Sequence, residues 1–409
     1  MNQNQDYFIG LDIGTSAVRC VVGMFDPNGS SMPSIIGHGQ APNKGMRRGA
    51  VVHVDEVAEA IVHAVTEAER ISGKPIKHAT VNVNGVHVSG LDSEGVIAIS
   101  AANREITIED RLRVEEAATI VSLPPNREIV QFFAKNYSLD GQRNIKDPVG
   151  MHGVRLEVDA HIVTAASPNL RNLDMTLEKA EIQATHHTVS GLAAAEAVLT
   201  RQQREAGTAL LDIGAGTTNL IVLEDGEVQH VAVLPLGGQH ITNDLAIGLR
   251  TDIDIAEQVK VKHATLRPDT KKATVTVKTG SKVHNFEFEQ VALVVEARVE
   301  ELLEYVDKEL QKIKRSRKLP GGVVLTGGTS KLPGIADFTR DKLQLPARIG
   351  KLQGVGGLVD TVEDQTFVTV VGLMLLDMLL LPSLPPTYSG KATQSTKALL
   401  TNVLGRFKR

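Results

Sequence analysis

The chain is poor in the groups that stabilise or anchor many other proteins. It has a single cysteine, Cys20, among 409 residues, which excludes an internal disulfide. That fits a reducing compartment, and Cys20 reads as a small core residue in a strand. No apolar run reaches the ~20 residues that a membrane-spanning helix needs. The nearest, 367–381, is interrupted by Asp377 and reads as a buried helix. Positive charge is not in excess. The formal net charge is -4, which argues against a basic nucleic-acid-binding face, and no nucleic-acid partner is expected. No charged, apolar leader is read in Met1-Asn2-Gln3-Asn4-Gln5-Asp6, which runs into a strand. A hydrophobic content of 42% over this length predicts at least two lobes, each with its own core.

What is present is a phrase written twice. Leu11-Asp12-Ile13-Gly14-Thr15 returns as Leu211-Asp212-Ile213-Gly214-Ala215-Gly216-Thr217-Thr218. Each copy closes an apolar run and is followed by another, so each predicts strand, Gly turn, strand, with an Asp at the tip. Such a turn offers backbone N–H groups and hydroxyls to a phosphate, while the Asp can reach a metal ion through water. The hydroxyls here are Thr15, Ser16, Thr217 and Thr218. Gly14, Gly214 and Gly216 let backbone approach closely. Two copies predict two similar half-domains facing one another across a polyphosphate.

Between and after these hairpins the pattern alternates. Helices are expected at 54–71, with Asp55 as N-cap, and at 107–121, where Thr107 and Asp110 have capping-box spacing. Further helices are expected at 170–180, 189–200, 241–248, 253–263 and 289–314. Strands are expected near 34–39, 77–84, 86–90, 95–100, 129–137, 154–163, 182–188, 230–236, 271–278 and 321–326. The block from about 84 to 163 has a different texture and no phosphate loop, and reads as an inserted binding domain. Gly327-Gly328 follows a strand and is a natural place for a flat base or ribose. Glu257 and Lys260 stand at i and i+3, on one helix face, where they can grip ribose hydroxyls.

The end of the chain, 397–409, carries Leu399, Leu400, Val403, Leu404 and Phe407 on one helical stripe. Lys397, Arg406, Lys408 and Arg409 add positive charge with no opposing acid. After the Pro/Ser/Thr/Gly-rich stretch 382–395, this predicts a tethered amphipathic helix for an anionic membrane surface.

The order of hairpin, helix, hairpin, Glu-Xaa-Xaa-Lys helix, Gly-Gly loop and closing helix resembles the actin/Hsp70/sugar-kinase ATPase superfamily. Within it the chain is similar to the FtsA family of bacterial cell-division proteins. The first hairpin carries part of the resemblance. The runs Gly150-Met151-His152-Gly153-Val154-Arg155-Leu156-Glu157, Gly191-Leu192-Ala193-Ala194-Ala195, Pro235-Leu236-Gly237-Gly238-Gln239-His240 and Pro320-Gly321-Gly322-Val323-Val324-Leu325-Thr326 carry the rest. The resemblance implies an α/β, actin-like (RNase H-like) fold of two lobes with an inserted SHS2-like α+β subdomain. It implies subdomain 1A at 1–84, 164–206 and 362–381, and 1C at 85–163. Subdomain 2A would be 207–225 and 319–361, and 2B 226–318. A flexible linker at 382–396 and a membrane helix at 397–409 would follow.

The resemblance further implies ATP and Mg²⁺ between the lobes. Phosphate would lie at Asp12–Ser16 and Asp212–Thr218, with Gly237 and Gly238 lining the cleft. Ribose would meet Glu257 and Lys260, and adenosine Gly327 and Gly328. Asp12 and Asp212 would serve the metal. Relatives that hydrolyse ATP carry a Glu before the Ala-rich helix; here Ser190-Gly191 stands there, so turnover is expected to be slow at most. The implied role is an adaptor at the cytoplasmic face of the membrane, at the division septum. It would self-associate and tether the C-terminal tail of the tubulin-like protein FtsZ, with Arg298 as a contact for that acidic peptide. Other division proteins would use the inserted block. Two alternatives are a PilM-like pilus-assembly protein and a sugar-kinase or exopolyphosphatase-type phosphotransferase.

Overall fold

The computed structural model describes residues 7–25, 32–100, 103–267 and 273–380. The membrane-helix residues Leu399, Leu400, Val403, Leu404, Arg406, Phe407, Lys408 and Arg409 lie outside these. So does the linker that precedes them.

Two sheets face one another, and each is built around one copy of the repeated phrase. The first runs edge to edge Gln183–Val189, His78–Val83, Tyr7–Ile13, Ala17–Phe25, Pro33–Pro42 and Gly356–Gly357. The second runs Glu227–Leu234, Thr218–Glu224, Thr208–Ile213, Gly322–Thr326 and Ala347–Ile349. In both, the Asp-bearing strand pairs antiparallel with its hairpin partner and parallel with a strand from much later in the chain. The strands Tyr7–Ile13 and Thr208–Ile213 are buried on both faces, which is why they read as continuous apolar runs and do not alternate.

Two apolar helices lie at the centre. Val368–Leu380 packs on the first sheet, and Ser190–Val198 packs on it and on the second hairpin. Gly372 allows near-contact of the two helices, because a Cβ there would sit 1.7 Å from Ala193 O. Asp377 is buried in the first of these helices. It accepts hydrogen bonds from Ile9 N (2.9 Å) and Thr80 Oγ1 (2.7 Å), so the polar group that interrupts the apolar run ties the helix to the sheet.

The inserted block is a third sheet, Ser89–Ala98, Arg155–Ala166, Arg127–Leu139 and Gln142–Ile145, with helix Ile108–Thr119 against it. Thr107 and Asp110 form the capping box. The block has its own apolar centre, including Ile106, Val114, Phe132 and Ile162. Val130, Phe133 and Val163 instead join the first lobe's core, together with Val228 and Val231 of the second lobe's edge strand. His161 links the block to that strand. Its Nε2 accepts from Val231 N (3.0 Å) while its Nδ1 donates to Asp92 (2.7 Å).

Several expectations are corrected. His53, not Asp55, is the N-cap residue of helix Val54–Ser72; Asp55 lies in the first turn, where its charge still complements the helix dipole. The two short strands at 86–90 and 95–100 are one strand, Ser89–Ala98, because Gly85 takes a positive φ and carries a turn through 86–87. Helix 189–200 stops at Val198; Leu199 is extended, and Thr200 with Gln203 caps a separate helix, Arg201–Ala206. Thr274–Thr279 pairs with Lys282–Glu287 in an isolated hairpin.

Candidate nucleotide site

The two hairpin turns meet across a cleft of about 1000 Å³. Their closure is the same in each copy. Gly14 N donates to Ala17 O (3.1 Å), and Gly214 N donates to Thr217 O (2.9 Å). Strand pairing sets Arg19 opposite Asp12 and Asn219 opposite Asp212. Asp12 Oδ1 accepts from Asn82 Nδ2 (2.7 Å), and that amide also reaches Ser190 Oγ (3.2 Å). Asp212 Oδ2 accepts from Asn219 Nδ2 (3.1 Å) and from Thr369 Oγ1 (3.2 Å), on the central helix.

Burial pushes the Asp12 carboxyl up to about 7, against the opposing pull of Arg19 and with a further push from Asp212. Burial also raises Asp212, against hydrogen bonds from Asn219 and Thr369. Two desolvated carboxyls that disfavour their own charge form a site that a cation would relieve.

Most of the residues picked from the sequence line this one cleft. Asp12, Gly14, Thr15, Ser16, Asp212, Gly214, Thr217, Gly238, Glu257, Lys260, Gly327 and Gly328 do. Gly216, Thr218 and Gly237 stand behind it. A Cβ on Gly216 would lie 3.0 Å from Thr15 Oγ1, so this glycine lets the two loops touch. Thr218 is fully buried and its hydroxyl donates to Leu236 O (2.8 Å); it pins the hairpin to the segment after strand Glu227–Leu234 and offers nothing to a ligand. Gly237 supports the second loop from beneath, since a Cβ there would sit 2.6 Å from Ala215 O. Gly327 is required where it stands. Its φ is +83°, and a Cβ would meet Asp212 Oδ1 at 2.5 Å.

Glu257 and Lys260 are paired at 2.6 Å, and Lys260 Nζ also donates to Thr242 Oγ1 (2.7 Å) and Gly238 O (3.1 Å). They form a fixed polar pair on the cleft wall. Glu196 is turned away and held by Arg204 (2.8 Å), and Ser190 lines the cleft. Arg298 lies on the long helix Phe288–Lys312, where its guanidinium donates to Asp244 and to Glu301 (2.5 Å). An acidic peptide binding there has to compete with both.

The reading of the sequence missed Arg19, Asn84, Lys44, Arg47 and Thr369, which line the cleft, and Asn82, which is buried behind it and holds Asp12. Arg19 was discoverable. A polar side chain seven positions after each Asp, within an apolar run, falls cross-strand from it in both hairpins. Arg19 Nε donates to Gln40 Oε1 (3.2 Å), and its guanidinium lies 5.5 Å from the Phe367 ring centre.

Comparison with known proteins agrees with this arrangement. Residues 209–372 match the family described as "Cell division protein FtsA", and residues 85–164 match "SHS2 domain inserted in FTSA". The cell division protein FtsA of Bacillus subtilis is 39% identical over 378 residues, covering 91% of this chain and 84% of that one. The Neisseria meningitidis protein of the same name is 35% identical, covering 95% and 94%. Among solved structures, a PilM–PilN type IV pilus biogenesis complex superposes with a TM-score of 0.64 at 18% identity, over 90% of this chain and 98% of that one. MreB5 of Spiroplasma citri bound to ADP gives 0.55 at 13%, over 92% and 97%. These likenesses establish the actin-like fold. The identity to the curated relatives, sustained over nearly the whole chain, establishes that it belongs to the FtsA family of cell-division proteins.

Proposed function

We propose that the chain binds ATP with Mg²⁺ in this cleft and works as an assembly adaptor, anchoring FtsZ to the cytoplasmic membrane at the division septum and recruiting later division proteins. The observation that carries the nucleotide reading is the meeting of two Asp–Gly turns, one from each lobe, with the Gly327-Gly328 loop and the Glu257–Lys260 pair on the same walls. The backbone and hydroxyls of Gly14, Thr15, Ser16, Gly214 and Thr217 suit phosphate oxygens. Asp12 and Asp212 suit a hydrated Mg²⁺. Glu257 and Lys260 suit ribose hydroxyls, and Gly327 with Gly328 leaves room for a base. Division into 1A, 1C, 2A and 2B is part of this reading.

Ser190, the first residue of helix Ser190–Val198, supports slow turnover, since relatives that hydrolyse ATP carry a Glu there to orient water. Membrane attachment rests on the apolar stripe and four basic residues of 397–409. Among the described residues no helix is long and apolar enough to cross a membrane. Self-association would multiply such weak surface contacts. FtsZ would bind the region 226–318 near Arg298, and the other division proteins the inserted block.

The test is liposome co-sedimentation of the full chain and of a chain ending at Ser395, each with and without FtsZ, on anionic vesicles. The full chain is expected to pellet and to carry FtsZ with it, and the shortened chain to remain in solution. Equal pelleting of both overturns the anchor, and failure of the full chain to recruit FtsZ overturns the adaptor.

A further inference from the structure

The rim of the cleft carries a hairpin that the motifs do not account for. Met46–Arg47 pairs with Ala50–Val51, joined by a turn at Arg48 and Gly49. Both turn residues are left-handed, with φ of 50° and 75°, as a tight two-residue hairpin turn requires. An arginine takes this conformation less readily than glycine, and here the turn is packed on its surroundings.

The surroundings here belong to the phosphate loops. Gly49 N donates to Thr15 Oγ1 (3.1 Å). Asn43 Nδ2 donates to Gly14 O (2.9 Å), and Asn43 N to Ser16 O (3.0 Å). A Cβ on Gly49 would meet Gly85 Cα at 2.5 Å, and a Cβ on Gly216 would lie 3.2 Å from Arg48 Cα. The hairpin is therefore wedged between the first loop, the second loop and the turn after His78–Val83.

From this fixed element Lys44 and Arg47 line the cleft. Both are exposed, and among the described residues neither has an ion-pair or hydrogen-bond partner. The other lysines of the cleft are engaged: Lys260 holds Glu257 at 2.6 Å, and Lys331 holds Asp364 at 2.7 Å. Two cations without a partner among the described residues, on a rim tied to both loops and facing turns shaped for phosphate, complement an anion of several charges.

We propose that the hairpin of residues 43–51 is a polyphosphate clamp, in which Lys44 and Arg47 hold the outermost phosphate of a bound nucleotide and set the preference for triphosphate over shorter forms. The clamp rests on the nucleotide reading and adds to it a specificity device. It touches both loops, so the cations are presented only when the loops are in register. Discrimination comes from charge at the rim and needs no hydrolysis.

Calorimetric titration of the full chain with ATP, ADP and AMP, with Mg²⁺ present, tests it. The double variant Lys44→Ala with Arg47→Ala is expected to weaken ATP at least tenfold, to leave AMP within twofold, and to melt at the wild-type temperature. The swap Lys44→Arg with Arg47→Lys is expected to restore most of the ATP affinity. ATP binding unchanged within twofold overturns the clamp alone and leaves the nucleotide site standing. An equal loss for ATP and AMP also overturns it, because the substitutions then act through the fold. If the wild-type chain binds none of the three nucleotides, the nucleotide reading itself fails.

Discussion

The two Asp–Gly hairpins share a register and differ in what stands behind and beside them. Two residues before the Asp, the first copy has Gly10 and the second has Leu210. A Cβ on Gly10 would lie 2.3 Å from Val370 O and 2.6 Å from Met374 N, so the backbone of the central helix Val368–Leu380 rests directly on that strand. Leu210 is fully buried and fills the matching space with its side chain. Beside the Asp, the first copy sets a cation, Arg19, and the second an amide, Asn219. A repeated phrase has thus become two unequal halves. In the first, helix backbone rests on the strand and a cation stands opposite the Asp; in the second, a side chain fills that space and an amide stands opposite the Asp.

The hardest test is to exchange the supports. Gly10→Leu drives a side chain into helix backbone that has no flexible end to yield. It is expected to cost more than ~4 kcal/mol, seen in denaturant unfolding as insoluble or greatly weakened protein. The reverse change, Leu210→Gly, opens a cavity and is expected to cost about 3–5 kcal/mol. Near-equal tolerance of leucine and glycine at both positions would remove the asymmetry.

Asp377 sharpens the comparison by pH, since it joins the helix to the first hairpin only. Burial raises its carboxyl to about 6, against hydrogen bonds from Ile9 N and Thr80. The folded form holds its proton more tightly than the unfolded chain, whose value is 3.8. Its contribution is therefore fully present below pH 3.8 and is lost as pH rises through 6, by at most ~3 kcal/mol. Asp377→Asn is expected to flatten unfolding free energy over that window and to be the more stable form at pH 7. A wild-type profile that instead rises from pH 4 to 6 with the same slope in the variant refutes the assignment.

Arg19→Asn makes the first copy resemble the second. It is expected to lower ATP affinity roughly tenfold, the size of one charge-assisted hydrogen bond, with Arg19→Lys intermediate. Asn219→Ala should change affinity less, because Asp212 keeps its bond from Thr369. Equal effects at 19 and 219, read by calorimetry, would mean that the charge difference is idle. Smallest is Thr369→Val, which removes the helix's hydrogen bond to the second hairpin and is expected to cost about 1 kcal/mol in thermal unfolding.

Much of this was legible in the sequence, for identifiable reasons. Apolar runs broken by Asp-Xaa-Gly specify strand and turn locally, so both hairpins were visible, as were the Thr107 capping box and the buried helix near 367–381. What the sequence hid was docking. It shows that a helix ends the described chain, but not that Gly10 receives it. Thr217 and Thr218 illustrate a missed local rule. Thr217 closes the turn and faces the cleft, whereas Thr218 opens the strand and its hydroxyl is taken by Leu236 O. The rim hairpin was invisible because strands of two residues carry no periodicity.

The inserted block is an insertion in the chain without being a module in the fold. Val130, Phe133 and Val163 sit in one apolar cluster with Leu11 of the first hairpin and Val231 of the second lobe, and His161 is bonded to that strand's backbone. Its other face carries helix Ile108–Thr119 and the block's own apolar centre. Its inner face is part of the lobes' core, so removing the block would uncover apolar side chains in both lobes.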